Sequence, residues 1–328
     1  MDTVNWGMIG CGDVAEVKSG PALYKADGSA LAAVMRRDRG KAEDYARRHG
    51  VPRVYGDAGA LIHDADVDAV YIATPPSSHC DLALKVAAAG KPCLVEKPMA
   101  MNHAECLRMV EAFRGAQRPL WVAYYRRALP RFLKVRELLR ARVIGQLTSI
   151  HVSVTAPLAV GDVAKAWRFN TEIAGGGLFL DLASHYFDII DFVAGPVTAA
   201  AGFAVNTGGT YAAEDVTAAA FQIGDKVAGT GVWNFNAPVS ADSVVFTGSE
   251  GEIATAVIAD ADVVVTRAGQ PNLYRFRNPP HVHQPLIQTI VDELRGKGKC
   301  ESTGETGARS SWVMERCLQG YYRADSEK

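Results

Sequence analysis

Apolar residues in the first ~120 positions fall into short continuous runs separated by stretches with helical spacing. That pattern predicts strands buried on both faces of a parallel sheet, with helices between them. Residues 4–9, 30–35, 69–72, 92–95 and 120–123 read as strands. Between them, 13–24 reads as a helix interrupted near Gly20-Pro21, and 38–49 as a charged, exposed helix. Two more helices open at Ser78 and at Asn102. Ser78-His79-Cys80-Asp81 has capping-box spacing, and Gly90 closes the helix that follows.

The pattern changes after Tyr124. A helix over 130–141 leads into a long strand at 146–155, and a Gly-rich segment precedes a helix at 183–193. Strands then follow one another at 197–206, 215–223, 226–236, 242–247 and 262–266, separated by turn residues such as Gly208-Gly209 and Gly224-Asp225. Two helices, 283–295 and 305–323, finish the chain, with Ser302-Thr303-Gly304-Glu305 capping the last. Consecutive strands without intervening helices predict an open, mainly antiparallel sheet. The chain therefore reads as α/β: an N-terminal Rossmann domain (1–124) with a doubly wound parallel sheet, and a C-terminal α+β domain (125–328) with an open sheet.

Composition narrows the function. Apolar residues make up 48% and charged residues 22%, an ordinary globular balance. Thirty-five basic against 36 acidic residues leave a net charge of −1, so nothing draws the whole chain to nucleic acid or to an anionic membrane. The start of the chain has no signal-like segment, and no run approaches the ~20 apolar residues of a membrane span. Six scattered cysteines without a CxxC pair read as buried thiols rather than zinc ligands, as expected of a cytoplasmic protein. The stretch 126–142 holds seven basic residues against Glu137 alone. Phe132, Val135 and Leu139 recur there at helical spacing, which predicts an amphipathic helix with a solvated basic face rather than a nucleic-acid surface.

Gly10-Cys11-Gly12-Asp13-Val14-Ala15 reads G-x-G-x-x-A directly after a predicted strand and at the opening of a helix. Gly10 permits the tight turn, Gly12 admits a pyrophosphate to the backbone, and Ala15 lets the helix pack on the strand. The helix N-terminus favours the phosphate charge. Asp13 and Val14 complete the turn. The second strand ends Met35-Arg36-Arg37, where an NAD enzyme usually carries an acid for the ribose. Arg36 and Arg37, helped by Lys41, can grip a 2′-phosphate, which favours NADP. In the alternative, both arginines are solvated and Asp38 holds an NAD ribose.

Two further clusters carry chemistry. Glu96-Lys97-Pro98 ends a predicted strand, where open α/β sheets place ligands, and Pro98 biases Lys97 away from helical dihedrals. A lysine there can donate to an alkoxide or carbonyl oxygen; the plainer reading is a surface lysine. Gly175-Gly176-Gly177 precedes Asp181 and His185, four apart and on one face if helical. The glycines permit close approach of backbone to a ligand, and His185 titrates near neutrality. The rival reading makes Asp181 a helix N-cap and His185 a core histidine.

These motifs together resemble the Gfo/Idh/MocA oxidoreductase family. The marks are G-C-G-D-V-A at 10–15, A-T-P-P-S-S-H at 73–79, V-E-K-P-M-A at 95–100, W-R at 167–168 and G-G-G-L-F-L-D-L-A-S-H-Y-F-D at 175–188. The resemblance implies that Lys97 lies by the nicotinamide and the reacting oxygen. It implies that Asp181 and His185 face that oxygen from the second domain, with His185 exchanging the hydroxyl proton. Thr74, Pro75, Pro76, His79 and Glu96 would line the cofactor cleft, and Trp167 and Arg168 would approach the nicotinamide or substrate. Tyr125 and Arg127 match a family position at the domain junction. Association as a homodimer or homotetramer through the second domain's sheet is implied too.

The expected activity is NADP(H)-dependent hydride transfer at a hydroxyl or carbonyl carbon of a sugar, polyol or cyclitol. Arg168, Asp181, His185, Tyr186, Asn234 and Asn236 offer partners for many hydroxyls. A trans-dihydrodiol substrate is the alternative within the enzyme class. A non-catalytic NAD(P)-sensing regulator is the alternative outside it, and retention of Lys97, Asp181 and His185 argues against that one.

Overall fold

The protein's structure, a computed structural model, describes residues 2–323. The apolar runs near the N-terminus become strands and the stretches between them helices. In chain order these are β1 (Val4–Ile9), α1 (Asp13–Val17), α2 (Gly20–Lys25), β2 (Ser29–Met35), α3 (Arg39–His49), β3 (Arg53–Tyr55), α4 (Ala58–Ile62), β4 (Ala69–Ile72), α5 (His79–Ala88), β5 (Cys93–Val95), α6 (His103–Gly115) and β6 (Leu120–Val122). The six strands form one parallel sheet in the order β3-β2-β1-β4-β5-β6. Strand order reverses between β1 and β4, the switch point at which doubly wound sheets bind ligands.

The second half comprises α7 (Pro130–Arg140), β7 (Leu147–Thr155), α8 (Thr171–Ala174), α9 (Leu178–Ala194), β8 (Val197–Val205), β9 (Val216–Ile223), β10 (Val227–Asn234), β11 (Ala241–Gly248), β12 (Gly251–Thr255), β13 (Val263–Arg267), β14 (Gln270–Tyr274), α10 (Gln284–Leu294) and α11 (Gly304–Arg323). Its eight strands run β14-β13-β12-β11-β7-β10-β9-β8, and every neighbouring pair is antiparallel except β7 with β10. Both predicted sheets are therefore present.

Several local expectations are corrected. α9 begins at Leu178 rather than 183, and β3, β12 and β14 are additional strands, whereas the break expected near Gly20-Pro21 does separate α1 from α2. Ser78 does not cap α5: its hydroxyl donates to Thr74 Oγ1 (2.8 Å) and to the Pro75 carbonyl (3.0 Å). Ser302 donates to the Val122 carbonyl (2.7 Å), so Thr303 caps α11 instead, with Oγ1 accepting the Thr306 N–H at 3.4 Å. The stretch 126–142 does not present one solvated basic face. Arg126, Arg127 and Arg131 are buried. Arg131 donates to the Ala259 and Ala261 carbonyls at 2.8 and 3.1 Å, so it satisfies loop backbone that burial would otherwise leave unpaired.

The described residues divide into two compact units. One comprises those up to Leu129 with Asn278–Ala308; the other comprises Pro130–Arg277 with those from Arg309 onward. A contiguous split after residue 124 misses the return of 278–308 to the first unit. In the second unit, α9 is buried along most of its length and packs Phe179, Tyr186 and Phe187 around Trp233, with ring centroids 5.1 to 5.9 Å apart. No helix among the described residues is long and apolar enough to cross a membrane.

The returning segment is pinned by polar contacts. The indole N–H of Trp121 donates to Glu293 Oε2 (3.1 Å), which also accepts the Cys300 N–H (2.8 Å). Arg127 donates to the Glu301 carbonyl (2.9 Å). His283, buried, stacks on Tyr125 with centroids 4.4 Å apart. Its Nδ1 lies 3.8 Å from Glu96 Oε1. That pair is not ionic near neutrality, because burial first, and then the nearby Lys18, Arg126 and Lys97 charges, push the imidazole down to about 3.

A histidine neutral when folded but ordinary when unfolded takes up its proton in the unfolded chain first. Its contribution is intact above pH ~6.5 and is lost as pH falls from there toward 3, at about 1.4 kcal/mol per pH unit. His283→Asn is expected to lose less thermal stability than the unaltered chain between pH 7 and pH 4.5, by at least about 3 °C in Tm. Parallel melting curves for the two proteins would assign the acid sensitivity elsewhere.

Candidate active site

Two glycines in the turn after β1 differ in what demands them. Gly10 has φ +99°, and a Cβ there would sit 2.7 Å from the Ala73 carbonyl oxygen. The protein's own packing requires it. Gly12 has an extended backbone (φ −104°) and is the N-cap of α1, and a Cβ there would meet nothing within 4 Å. Nothing inside the protein excludes a side chain at Gly12. The open space above its backbone leaves room for a group to approach the main chain closely. Because α1 has only five residues, the macrodipole expected of a long helix is small. Ala15 is fully buried, as the motif requires, while Asp13 is exposed and Val14 half-buried.

The end of β2 reaches this turn. Arg36 donates from its guanidinium to the Cys11 carbonyl at 2.9 Å. Arg37 and Lys41 are exposed. Asp38 is engaged in capping α3: Oδ1 accepts the Lys41 N–H at 3.1 Å, and Lys41 Nζ stands 3.7 Å from Oδ2. That backbone hydrogen bond, with the Lys41 and Arg36 charges, holds the Asp38 carboxyl below the usual carboxylate range.

Loops leaving β4 and β5 carry the next group. Thr74 and Pro75 are half-buried, whereas Pro76 is buried. His79 is fully buried, with Nε2 2.6 Å from the Thr74 carbonyl and Nδ1 3.1 and 3.3 Å from those of Pro98 and Met99. It ties the two loops together instead of lining a cleft. Burial keeps its pKa below the ordinary histidine range, with the three carbonyls pulling the other way. Glu96 also turns inward: Oε1 accepts the Tyr71 hydroxyl (2.5 Å) and Oε2 the Lys97 N–H (3.1 Å). His79 and Glu96 thus brace the segment bearing Lys97, whose own side chain is half-buried.

In the second unit, Asp181 lies in the first turn of α9 and Gly177 is the N-cap, so the N-cap reading of Asp181 falls away. Arg168 Nε stands 3.6 Å from Asp181 Oδ2, and its guanidinium lies over the Trp167 ring at 4.5 Å. His185, one turn beyond Asp181, is 4% exposed. Tyr186 faces elsewhere: it is fully buried and donates to Asp242 Oδ1 (2.6 Å), so it is not available to a ligand. Asn234 Oδ1 accepts the Asn236 N–H (2.8 Å), and Asn236 donates to Thr207 Oγ1 (2.9 Å).

The glycine run does not serve ligand approach at every position. Cβ atoms on Gly176 and Gly177 would sit 2.8 Å from Leu180 Cδ1 and 2.6 Å from the Glu214 carbonyl oxygen. Glu214, His283 and Tyr322 were not singled out from sequence. Glu214-Asp215 looks like a polar turn before an apolar strand, and the other two sit on helical stretches with no motif. No cluster of three or more metal-ligating side chains occurs among the described residues.

Residues 4–124 match the family described as an oxidoreductase family with an NAD-binding Rossmann fold, and residues 132–254 match the GFO/IDH/MocA C-terminal domain. The chain is 38% identical to Oxidoreductase P35 of Formosa agariphila over 95% of its own length and 97% of that protein's. It is 38% identical to Inositol 2-dehydrogenase 2 of Saccharopolyspora erythraea over 166 residues, 49% of each chain. Levoglucosan dehydrogenase, solved with NADH and levoglucosan, shares the fold with a TM-score of 0.86 at 20% identity, over 98% of both chains.

The two glycines give opposite expectations. Gly12→Val suits an extended backbone with open space beside it. It should melt within about 2 °C of the unaltered chain yet bind NADH and NADPH at least about tenfold more weakly. Gly10→Ala should lose at least about 1–2 kcal/mol of stability before any ligand is considered. Thermal shift with and without dinucleotide separates the two effects. Undiminished affinity in Gly12→Val would remove the dinucleotide from this turn.

Proposed function

The chain belongs to the Gfo/Idh/MocA oxidoreductase family, and from that premise we propose that it transfers hydride between NADP(H) and a hydroxyl-bearing carbon of a sugar, polyol or cyclitol. The observation that carries this reading is the arrangement on α9: Asp181 paired with Arg168, and His185 one turn further along the same face. A carboxylate held by a guanidinium and followed by an imidazole suits alcohol–carbonyl chemistry, where one proton leaves with each hydride. The name of the inositol dehydrogenase relative supports a cyclitol or related polyol.

The bound nicotinamide ring supplies the hydride acceptor in oxidation and the donor in reduction. In the oxidative direction His185 takes the hydroxyl proton, and Asp181 orients the imidazole and offsets its positive charge. Lys97, braced through Glu96, stabilises negative charge developing on the oxygen. Tyr125, Arg168 and Asn234 hold the remaining hydroxyls. Thr74 and Pro75 would help to hold the dinucleotide, and Trp167 would contact its nicotinamide. Reduction reverses these steps. Preference for NADP rests on Arg36, folded onto the glycine turn, with Arg37 and Lys41 exposed nearby. Asp38 caps α3 through Oδ1, and Lys41 stands beside its Oδ2.

Association through the second unit's sheet belongs to the same proposal. Across the exposed face, paired positions read Phe203–Ala218–Val232–Ser153 and Ala201–Ala220–Thr230–His151, rows with no charged residue. Phe203 is 86% exposed, and uncharged apolar faces of this kind mark interaction surfaces. A shallow groove of about 480 Å³ on these strands, lined by Thr148, Ala199, Ala220, Gln222 and Ala228 among others, includes none of the proposed catalytic residues.

A spectrophotometric panel of myo-inositol, D-glucose, D-glucitol, levoglucosan and a trans-dihydrodiol, each with NADP+ and NAD+, tests the activity. Lys97→Ala and His185→Ala should each lower turnover at least about a hundredfold while dinucleotide affinity stays within a few fold. Arg36→Ala should weaken NADPH at least about tenfold and leave NADH nearly unchanged. Normal turnover in both catalytic variants ends the assignment, oxidation of the dihydrodiol alone moves the substrate class, and dinucleotide binding without any turnover favours a regulator. By light scattering, Phe203→Glu should reduce a dimer or tetramer to smaller species; an unaltered mass removes this face from the interface.

A further inference from the structure

The start of α9 rests on a carboxylate that belongs to no part of the reaction described above. Glu214 lies just before β9 and is 0% exposed. Its Oε1 and Oε2 stand 3.0 and 3.2 Å from the N–H of Gly177, the residue that caps α9 and has no side chain of its own to do so. The Tyr322 hydroxyl, from α11, donates to the same carboxylate. A charged acceptor at a helix N-terminus satisfies an otherwise orphan donor and lies at the positive end of the peptide dipoles. A buried carboxylate is tolerated only with such partners.

The surroundings leave the turn almost no freedom. A Cβ on Gly177 would lie 3.0 Å from Ala213 Cβ and 3.1 Å from Glu214 Oε1. A Cβ on Gly176 would lie 3.2 Å from the Tyr322 hydroxyl oxygen. The closest approaches come from Leu180 at Gly176 and from the Glu214 backbone carbonyl at Gly177, with the Tyr322 hydroxyl and the Glu214 carboxylate also packed against the two glycines. Asp181 and His185 follow Gly177 by four and eight residues, roughly one and two helical turns. Wherever the helix begins, those two side chains are displaced with it.

We propose that Glu214 is a positioning residue: with Tyr322 it fixes the first turn of α9, and through it the placement of Asp181 and His185. The proposal rests on the catalytic reading of those two residues. It deepens that reading by naming the group that holds them in register. Glu214 itself touches no substrate. A displacement of about 1 Å in a reacting group is enough to cost roughly a hundredfold in rate, so loss of the anchor shows in turnover before it shows in binding.

The test uses Glu214→Ala, Glu214→Gln and Tyr322→Phe in the full chain. Readouts are turnover of the fastest panel substrate and hydrogen–deuterium exchange of the amides at 177–185. In Glu214→Ala, kcat should fall at least about tenfold, with KM within about threefold and NADPH affinity within about twofold, and exchange at 177–185 should rise. Glu214→Gln keeps an acceptor for Gly177 and a group that the Tyr322 oxygen can accept from. It should recover kcat to within about threefold and restore slow exchange. Tyr322→Phe should fall between the two. A folded Glu214→Ala with unaltered kcat, or with unaltered exchange at 177–185, overturns the proposal. If Glu214→Ala does not fold, unchanged kcat and exchange in Tyr322→Phe overturn it instead. His185→Ala run alongside keeps the two ideas apart: if it retains turnover the catalytic reading fails, while the exchange measurement still decides whether Glu214 anchors the helix.

Discussion

One imidazole holds the first unit's chemistry in place. His79 stands at the start of α5, within 3.3 Å of carbonyl oxygens on the loops that leave both β4 and β5. Adjacent parallel strands deliver their loops to the same edge of a sheet, but nothing in strand pairing fixes what those loops do next. A buried ring set between carbonyls of both loops, donating to one of them, restricts that freedom. Glu96 does the same from the other side of Lys97, through Tyr71 and through the lysine's own N–H. Two buried polar side chains thus hold the backbone that carries Lys97.

The sequence motifs of this region do not distinguish contact from support. His79, Glu96 and Tyr186 all sit in motifs that look like ligand contacts, and all three prove to be buried against the protein's own polar groups. A motif records that a residue type is needed, and a brace is needed as strictly as a contact. The glycines make the same point. Gly10, Gly176 and Gly177 are demanded by neighbouring protein atoms, and only Gly12 by empty space.

Architecture was legible wherever one element supplied its own signal. β4 and β5 are buried at every position and read as apolar runs. β3 is three half-buried residues beginning with an arginine, and β14 is an edge strand with Pro271 and four exposed positions, so neither carries a strand pattern. The early start of α9 was hidden because Leu178–Leu182 follow directly on a glycine run and carry one polar position, Asp181, too short a stretch to show a period. The burial of Arg126, Arg127 and Arg131 was hidden for another reason. Their acceptors include carbonyls as distant as Ala259 and Glu301, and helical spacing contains no information about such partners.

The return of 278–308 to the first unit has a consequence for how the protein is made. During synthesis the nascent chain has all six strands of the parallel sheet long before it has His283, Glu293 or Ser302, which pack beside Tyr125, Trp121 and Val122. Until the ribosome has passed that segment, the apolar edge at β6 lacks its cover. The second unit's strands emerge in the interval, while that edge is still exposed.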